Sequence, residues 1–461
     1  MDYRTLKTRT LFLRYVIPNT FAIVCNSVYF IVDGVFIGHR LGPTALAAAG
    51  VAVPVVECTI AVAMMLSVGT GVLISSAAGR GQQALARNIF NYSAVFTLVL
   101  SLFVAVVGAI FTAPIARFMG ASGQLVPMTV EYLRTFLIFC PFLVFSYALS
   151  CYVRNDGGPT VAMVSLVVGS AANVILDWVF MYPLNMGLFG AALATGLGPV
   201  FSVLILLPHF LRKKGMLYFQ RPTRMPGVLR SVVTGGMPAF VTEFSIGLTT
   251  LLYNLAIVRQ GLGEAGLTIY MVLHYAVLIC ITAFLGAAQG IQPPVSFFTG
   301  AGEKDRVRKL VRVSVVFVLG LAALFYVGLF FGGQFFYGIF LAPGELLQQT
   351  TAAGQIYFLY LLFAAVNIML TSVLQAMGKA VSSLVLSLCR CTLPLALLLF
   401  MLPGAIGING LWLACTFAEA LTLIPAILSW RKAAADQPKA VLAPKGNLPK
   451  EPVKLSAGKT R

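Results

Sequence analysis

Long apolar runs separated by short polar segments make up most of the chain. Twelve of them are long enough to cross a bilayer, which takes about 20 helical residues. They lie near residues 15–38, 47–77, 89–112, 127–153, 161–182, 188–210, 229–258, 265–292, 311–339, 350–376, 381–403 and 407–430. None shows the strict alternation of a membrane β-strand. The pattern predicts an all-α integral membrane protein with twelve transmembrane helices.

The second half of the chain repeats landmarks of the first half. The repeated pairs are Pro18 and Pro238, Gly79 and Gly300, and Gly187 and Gly407, at offsets of 220, 221 and 220 residues. Long internal repeats in a hydrophobic chain are typical of secondary transporters, in which two homologous bundles enclose a central site. We therefore expect two six-helix lobes, an N-lobe at residues 15–210 and a C-lobe at 229–430, joined by a cytoplasmic linker at 211–228.

The net charge of +18 is unevenly distributed along the chain. If the N-terminus is cytoplasmic, the segments predicted to lie inside contain 27 of the 32 Lys and Arg residues. This positive-inside pattern indicates topology rather than a nucleic-acid partner. We expect a cytoplasmic N-terminus at residues 1–14 and a basic, disordered cytoplasmic tail at 431–461. Short loops and few cysteines are typical of a bacterial cytoplasmic (inner) membrane protein.

The sequence lacks the motifs of several common enzyme classes. HExxH, GxxxxGK[ST] and GxSxG are absent, and the eight Cys and three His show no metal-site spacing. We therefore predict no catalytic residues, no metal site and no cofactor. Because a nucleotide-binding loop is also missing, uphill transport would have to use a gradient of H⁺ or Na⁺.

Ionisable residues within the predicted helices are the main functional candidates, since charged groups in a membrane are costly. Asp33 lies in the first helix, and Asn173 and Asp177 lie one turn apart on one face of the fifth. A carboxyl group in a hydrated cavity can exchange a proton or bind a cation. The alternative is a structural carboxyl group that neighbouring polar side chains satisfy. We favour Asp33 and Asp177 as ion-coupling residues.

Several motifs occur in the same order and spacing as in a known transporter family. They include Tyr29-x3-Asp33-x2-Phe36-x-Gly38, Gly290-Ile-Gln-Pro293 and Arg390-x3-Pro394. Over residues 10–430 the chain resembles the multidrug and toxic compound extrusion (MATE) transporters, and most of all their DinF/MepA-like branch. The resemblance implies an acidic N-lobe site composed of Asp33, Asn173, Asp177 and Thr195, with Tyr132 as an additional member. It also implies an antiporter that exports organic cations in exchange for H⁺ or Na⁺ by alternating access.

Glu243, Arg390 and Glu419 are secondary candidates in the C-lobe. Some members of the family use a carboxylate in the seventh helix, but Glu243 follows Pro238 by five residues, about one turn earlier than that pattern. A coupling role, a pair with Arg390 and a helix cap all stay open for Glu243. Arg390 lies too deep to reach an interface, so we expect an ion pair with Glu419 or Glu243. The alternative is a functional role, in which Arg390 binds an anionic group.

The main alternative from another class is a flippase for a lipid-linked precursor, which shares the two-lobe architecture. A flippase that handles a pyrophosphate needs several basic residues facing its cavity, and Arg390 is the one deep arginine that the sequence predicts. A uniporter or importer stays open, because the sequence does not set direction. We expect small organic cations and the bilayer as partners. Since one chain contains both lobes, a monomer without an obligate protein partner suffices.

Overall fold

The computed structural model describes residues 3–391 and 393–436. In this part of the chain, twelve helices are long and apolar enough to cross a membrane, as predicted. The first six are α1 (Thr8–Leu41), α2 (Pro43–Gly79), α3 (Gln83–Ile110), α4 (Leu125–Asn155), α5 (Pro159–Met181) and α6 (Gly187–Leu211). The other six are α7 (Val228–Arg259), α8 (Gly263–Gly300), α9 (Lys304–Tyr337), α10 (Glu345–Ala376), α11 (Ala380–Ile406) and α12 (Ile408–Ala435).

Several helices extend beyond the apolar runs that predict them. The helix α1 begins at Thr8, α9 begins at Lys304, and α12 continues to Ala435, into the segment predicted as a disordered tail. Residues 437–461 of that tail lie outside the described part. At 1.5 Å per residue, a helix as long as α9 spans about 50 Å, more than the hydrocarbon core of about 30 Å. Hydropathy therefore predicts the membrane-embedded middle of each helix but not its polar ends.

Some local features were not predicted. A short helix, Thr112–Phe118, lies between α3 and α4. The helix α10 contains a 3-10 turn at Phe358–Tyr360. Hydrophobicity does not distinguish these two features from continuous helix, because both lie in or beside apolar sequence.

The two lobes contact each other through helix pairs that the repeat relates. A Cβ atom added to Gly69 on α2 would lie 2.0 Å from the carbonyl oxygen of Val232 on α7. A Cβ atom added to Gly290 on α8 would lie 2.8 Å from the carbonyl oxygen of Tyr15 on α1. Gly69 and Gly290 are 221 residues apart, so both glycines occupy the same place in the repeat. Backbones can approach this closely only at glycine, which has no side chain.

The segments between helices that were predicted as cytoplasmic lie at one end of the bundle. This end, which we call the basic face, comprises residues 3–7, 80–82, 156–158, 212–227, 301–303, 377–379 and 436. Its parts are linked across the chain. Arg306 donates hydrogen bonds to the carbonyl oxygens of Tyr3 and Arg4, at 3.2 and 2.8 Å. The side chains of Arg4 and Glu303 also approach to 3.2 Å.

The linker between the lobes is folded against the N-lobe. Asn91 on α3 accepts a hydrogen bond from the backbone N–H of Gln220 at 2.9 Å and donates one to the carbonyl oxygen of Tyr218 at 3.0 Å. The guanidinium of Arg87 lies over the Tyr218 ring, 4.0 Å from its centroid. These contacts give residues 212–227 a fixed path along α3.

Candidate functional site

Asp33 on α1 and Asp177 on α5 face each other inside the N-lobe. The two carboxyl groups lie within interaction distance of one another. Asp33 is 8% exposed and Asp177 is 0% exposed. In each residue the Oδ1 atom is buried and has no hydrogen-bond partner among the described residues. Because a buried polar atom without a partner is costly, this pair has the chemistry to take up a proton or a cation.

Asn173 connects the acidic pair to α6. In the amide orientation that satisfies both of its groups, Asn173 donates to Asp177 Oδ2 at 3.2 Å and accepts from the backbone N–H of Thr195 at 3.1 Å. The predicted i, i+4 relationship of Asn173 and Asp177 is therefore also a direct contact. Tyr132 on α4 lies close to both carboxyl groups and to the Thr195 hydroxyl. The structure thus brings all five residues predicted for the N-lobe site together.

Tyr29 also belongs to this cluster and was not predicted as a site residue. It lies on α1 one turn before Asp33, and its hydroxyl is near the carboxyl groups of Asp33 and Asp177 and near Tyr132. The i, i+4 spacing of Tyr29 and Asp33 is the signal that predicts it. Two tyrosines therefore flank the two acids, and aromatic faces beside negative charge favour organic cations.

The positions of the C-lobe that correspond to this site in the repeat hold a different cluster. Asp33 corresponds to Tyr253 and Thr195 corresponds to Cys415, each 220 residues later. Tyr253 is fully buried, and its ring stacks on Tyr270 with centroids 4.6 Å apart. Tyr357 packs edge-on against the Tyr253 ring at 5.7 Å. An aromatic core therefore replaces the acidic site at these positions.

Arg390 and Glu419 form a buried ion pair in the C-lobe. Arg390 Nε and Nη2 lie 3.2 and 3.1 Å from Glu419 Oε1. Asn367 donates hydrogen bonds to Glu419 Oε2 at 2.7 Å and to its carbonyl oxygen at 2.8 Å. Of the partners that the sequence left open for Arg390, Glu419 is thus one that the structure provides. The pair neutralises both charges inside the lobe.

Glu243 lies at the boundary between the lobes. It is half-buried and lines a cavity of about 40 Å³ that Arg390 also lines. Glu57 and Tyr147 of the N-lobe lie close enough to interact with it electrostatically. Tyr147 is also near Tyr29, so it lies between Glu243 and the acidic pair.

At two glycines near the basic face, the helices of the two lobes approach too closely to admit a side chain. A Cβ atom on Gly79 of α2 would lie 2.0 Å from the carbonyl oxygen of Phe297, and one on Gly300 of α8 would lie 2.2 Å from that of Ser76. Asn19 on α1 also donates a hydrogen bond to the carbonyl oxygen of Gly286 at 2.6 Å. At these points the lobes are closed toward the basic face.

Comparisons with known proteins agree with this architecture. The family model described as MatE matches residues 18–179 and 238–400, one segment in each lobe. The chain is 23% identical to the multidrug export protein MepA of Staphylococcus saprophyticus, over 90% of this chain and 92% of that protein. It is also 23% identical to MepA of Staphylococcus aureus, with the same coverage of 90% and 92%.

Solved structures share the fold at low sequence identity. The chain matches the outward-facing conformation of a multidrug resistance MATE family transporter of the MOP superfamily, with a TM-score of 0.88 and 21% identity. It matches a MOP superfamily transporter from Pyrococcus furiosus with a TM-score of 0.87 and 21% identity. Both matches cover 93% of this chain and 97% of the other. At this identity, the likeness shows the fold.

Proposed function

Since the chain belongs to the MATE family of transporters, we propose that it exports organic cations by alternating access, in exchange for H⁺ or Na⁺. The observation that carries this proposal is the pair of buried carboxyl groups of Asp33 and Asp177, each with an oxygen that has no hydrogen-bond partner in the described part. The relatives named as multidrug export proteins support a drug-sized cargo. One chain contains both lobes, so a monomer suffices for this activity.

Exchange follows from competition for the same negative charge. A proton or Na⁺ bound between Asp33 and Asp177 offsets the repulsion between the two carboxylates. Without that ion, the pair is negative and attracts an organic cation, whose apolar parts contact the rings of Tyr29 and Tyr132. Entry of the ion therefore favours release of the cargo, and loss of the ion favours binding of the next one.

Alternation requires the lobes to separate at the basic face. The described conformation has this face closed, so the ion enters and the cargo leaves at the opposite face. Return to the conformation open at the basic face requires Gly69 to separate from Val232, and Gly79 to separate from Phe297. Coupling further requires that ion and cargo prefer different conformations, because a ligand with equal affinity for both shifts nothing.

The test is ethidium transport in proteoliposomes that contain the full chain, under an imposed pH or Na⁺ gradient of known sign. We expect one gradient to drive transport by the wild type and to identify the coupling ion. Asp33→Asn and Asp177→Asn should each reduce the driven rate at least about tenfold, the effect of losing one charge-assisted contact. Glu264→Gln, which changes an exposed carboxylate at the start of α8, is the matched control.

Two results would contradict the proposal in different ways. If folded Asp33→Asn and Asp177→Asn proteins retain driven transport, the acidic pair does not couple the ion. If the folded wild type moves no ethidium under either gradient, export of organic cations is wrong. The lipid-linked precursor flippase would then be the next hypothesis to test.

A further inference from the structure

A separate cavity opens on the basic face, away from the acidic site. It has a volume of about 330 Å³ and is lined by both lobes. Part of α2 forms one wall, and the other walls come from α7, the α8–α9 turn, the α10–α11 turn and the end of α12. We call it the basic-face pocket, and the lining residues that matter below are Gly69, Thr299, Lys304, Arg308, Lys379 and Asp436.

The basic-face pocket has a net positive lining. Lys304 and Arg308 come from α9, and Lys379 comes from the turn before α11. Of the described residues that line the pocket, Asp436 is the one that carries a carboxylate. Asp305 lies 3.9 Å from Arg308, but its side chain is 89% exposed and is not part of the lining. The pocket therefore attracts anions.

Helix geometry adds to this attraction. The helix α9 begins at Lys304 and α11 begins at Ala380, and both residues line the pocket. The N-terminal end of a helix carries a positive partial charge and presents unpaired backbone N–H groups. The residue before α9, Glu303, makes no side-chain cap hydrogen bond to these groups.

The three basic side chains hold the end of α12 as one wall of the pocket. Lys304 donates to the carbonyl oxygen of Ala435 at 3.2 Å, and Arg308 donates to that of Ala434 at 3.1 Å. Lys379 Nζ lies 2.7 Å from Asp436 Oδ2. These contacts hold the three basic side chains in place. Because an ammonium group has three N–H donors and a guanidinium has five, each side chain keeps further N–H groups that can donate to a ligand.

A further polar group lies next to the pocket, buried beneath its surface. The hydroxyl oxygen of Thr299 is buried and makes no hydrogen bond among the described residues. Thr299 lies at the end of α8, next to the start of α9, and lines the pocket. An anion with several oxygens would accept hydrogen bonds from the three basic side chains.

From these features we infer that the basic-face pocket binds a phosphate group, from a lipid headgroup or from a free phosphate. Lysine and arginine near the cytoplasmic end of membrane helices are a common setting for anionic headgroups. The C-terminal segment, residues 437–461, is not a suitable occupant. It contains six Lys or Arg residues and one Glu, so the positive pocket repels it.

The pocket is bounded by both lobes, whereas its cations all belong to the C-lobe. Gly69 forms part of the N-lobe wall and is also a point of backbone proximity to α7. This inference is independent of which cargo the protein exports.

The test is thermal unfolding of the full-length protein in a neutral detergent, followed by tryptophan fluorescence. One series adds inorganic phosphate against chloride at equal ionic strength, and another adds phosphatidylglycerol against phosphatidylcholine. We expect a saturable rise in the melting temperature with phosphatidylglycerol, with phosphate, or with both. A response to the lipid alone identifies a headgroup site, and a response to phosphate identifies a site for the free anion.

Matched variants separate this site from general charge effects. Lys304→Gln with Arg308→Gln removes two pocket cations, whereas Lys309→Gln with Arg312→Gln removes two exposed cations of the same helix that do not line the pocket. We expect the apparent Kd to rise at least about tenfold in the pocket variant alone. Equal weakening in both variants would overturn the inference, as would a wild type that responds to neither ligand. A wild type that responds to neither ligand overturns the inference even if the pocket variant does not fold.

Discussion

Arg390 Nη2 and Glu419 Oε1 are 3.1 Å apart inside the C-lobe, where both side chains are almost fully buried. The positive charge that neutralises the Glu419 carboxylate is thus supplied by the protein itself, through Arg390. In the N-lobe, by contrast, Asp33 and Asp177 face each other with unpartnered oxygens. The two lobes share a fold but place different chemistry in their interiors, so we expect ion exchange in the N-lobe.

Removal of one partner of the C-lobe ion pair should be strongly destabilising. Arg390→Met leaves the Glu419 carboxylate buried without its cation, which typically costs about 3–5 kcal/mol. Arg390→Met combined with Glu419→Leu removes both charges and should recover most of this loss. Thermal unfolding of both variants in detergent measures the difference. Equal losses in the single and double variants would show that the charges are not coupled.

A side chain at Gly79 should open the basic face. Its Cβ atom would lie 2.0 Å from the Phe297 carbonyl oxygen, and backbone cannot yield as a flexible side chain does. Overpacking of this kind costs about 1–3 kcal/mol, so Gly79→Ala should shift the equilibrium away from the closed conformation about fivefold or more. Spin-label distances between positions 82 and 305, in a background without native cysteines, report the shift. Gly247→Ala, whose Cβ atom would meet nothing within 4 Å, should leave the distance unchanged.

Loss of Asp156 should release the linker. Its Oδ2 lies 2.8 Å from His209 Nε2, and its Oδ1 accepts a hydrogen bond from the backbone N–H of Met216 at 2.8 Å. Asp156→Ala removes both contacts and should cost about 1–3 kcal/mol. Trypsin should then cleave the Lys- and Arg-rich segment 212–227 faster than in the wild type. Asp305→Ala, which changes an exposed carboxylate, should not alter the cleavage rate.

Tyr3 should make the stability of the protein sensitive to alkaline pH. Its ring is buried against Phe297, with centroids 4.7 Å apart, and burial raises the pKa of Tyr3 well above its ordinary value of 10.0. The folded state therefore favours the neutral phenol, and this contribution is present below pH 10 and is lost as the pH rises further. Tyr3→Phe should lose less stability than the wild type between pH 9 and pH 11. Parallel pH curves for the two proteins would contradict this prediction.

The sequence predicts the fold well because the fold depends on apolar length and on an internal repeat, and both are visible in the sequence. Apolar length gives the twelve helices, and the offset between Pro18 and Pro238 gives the two lobes. The shared helical face of Asn173 and Asp177 also follows from spacing alone. What spacing cannot give is the distance between Asp33 and Asp177, because that depends on how α1 packs against α5.

In the C-lobe, the sequence predicts a charged residue's need for a partner but not which residue is that partner. The sequence indicates that Arg390 needs an acidic partner, and both Glu419 and Glu243 were candidates. The choice depends on the relative positions of α7, α11 and α12, which no local pattern contains. The same is true of Tyr29, whose spacing to Asp33 is visible in the sequence, whereas its proximity to Tyr132 of α4 is not.

The attachment of the linker to the N-lobe shortens the free connection between the two lobes. A connection as long as residues 212–227 would act as a loose tether if it were free. Asn88 on α3 instead accepts a hydrogen bond from the backbone N–H of Thr223 at 2.8 Å, close to the end of the linker. The chain then enters α7 at Gly227, in a left-handed conformation with φ of 84°. The linker therefore leaves little free length of chain between the N-lobe and α7.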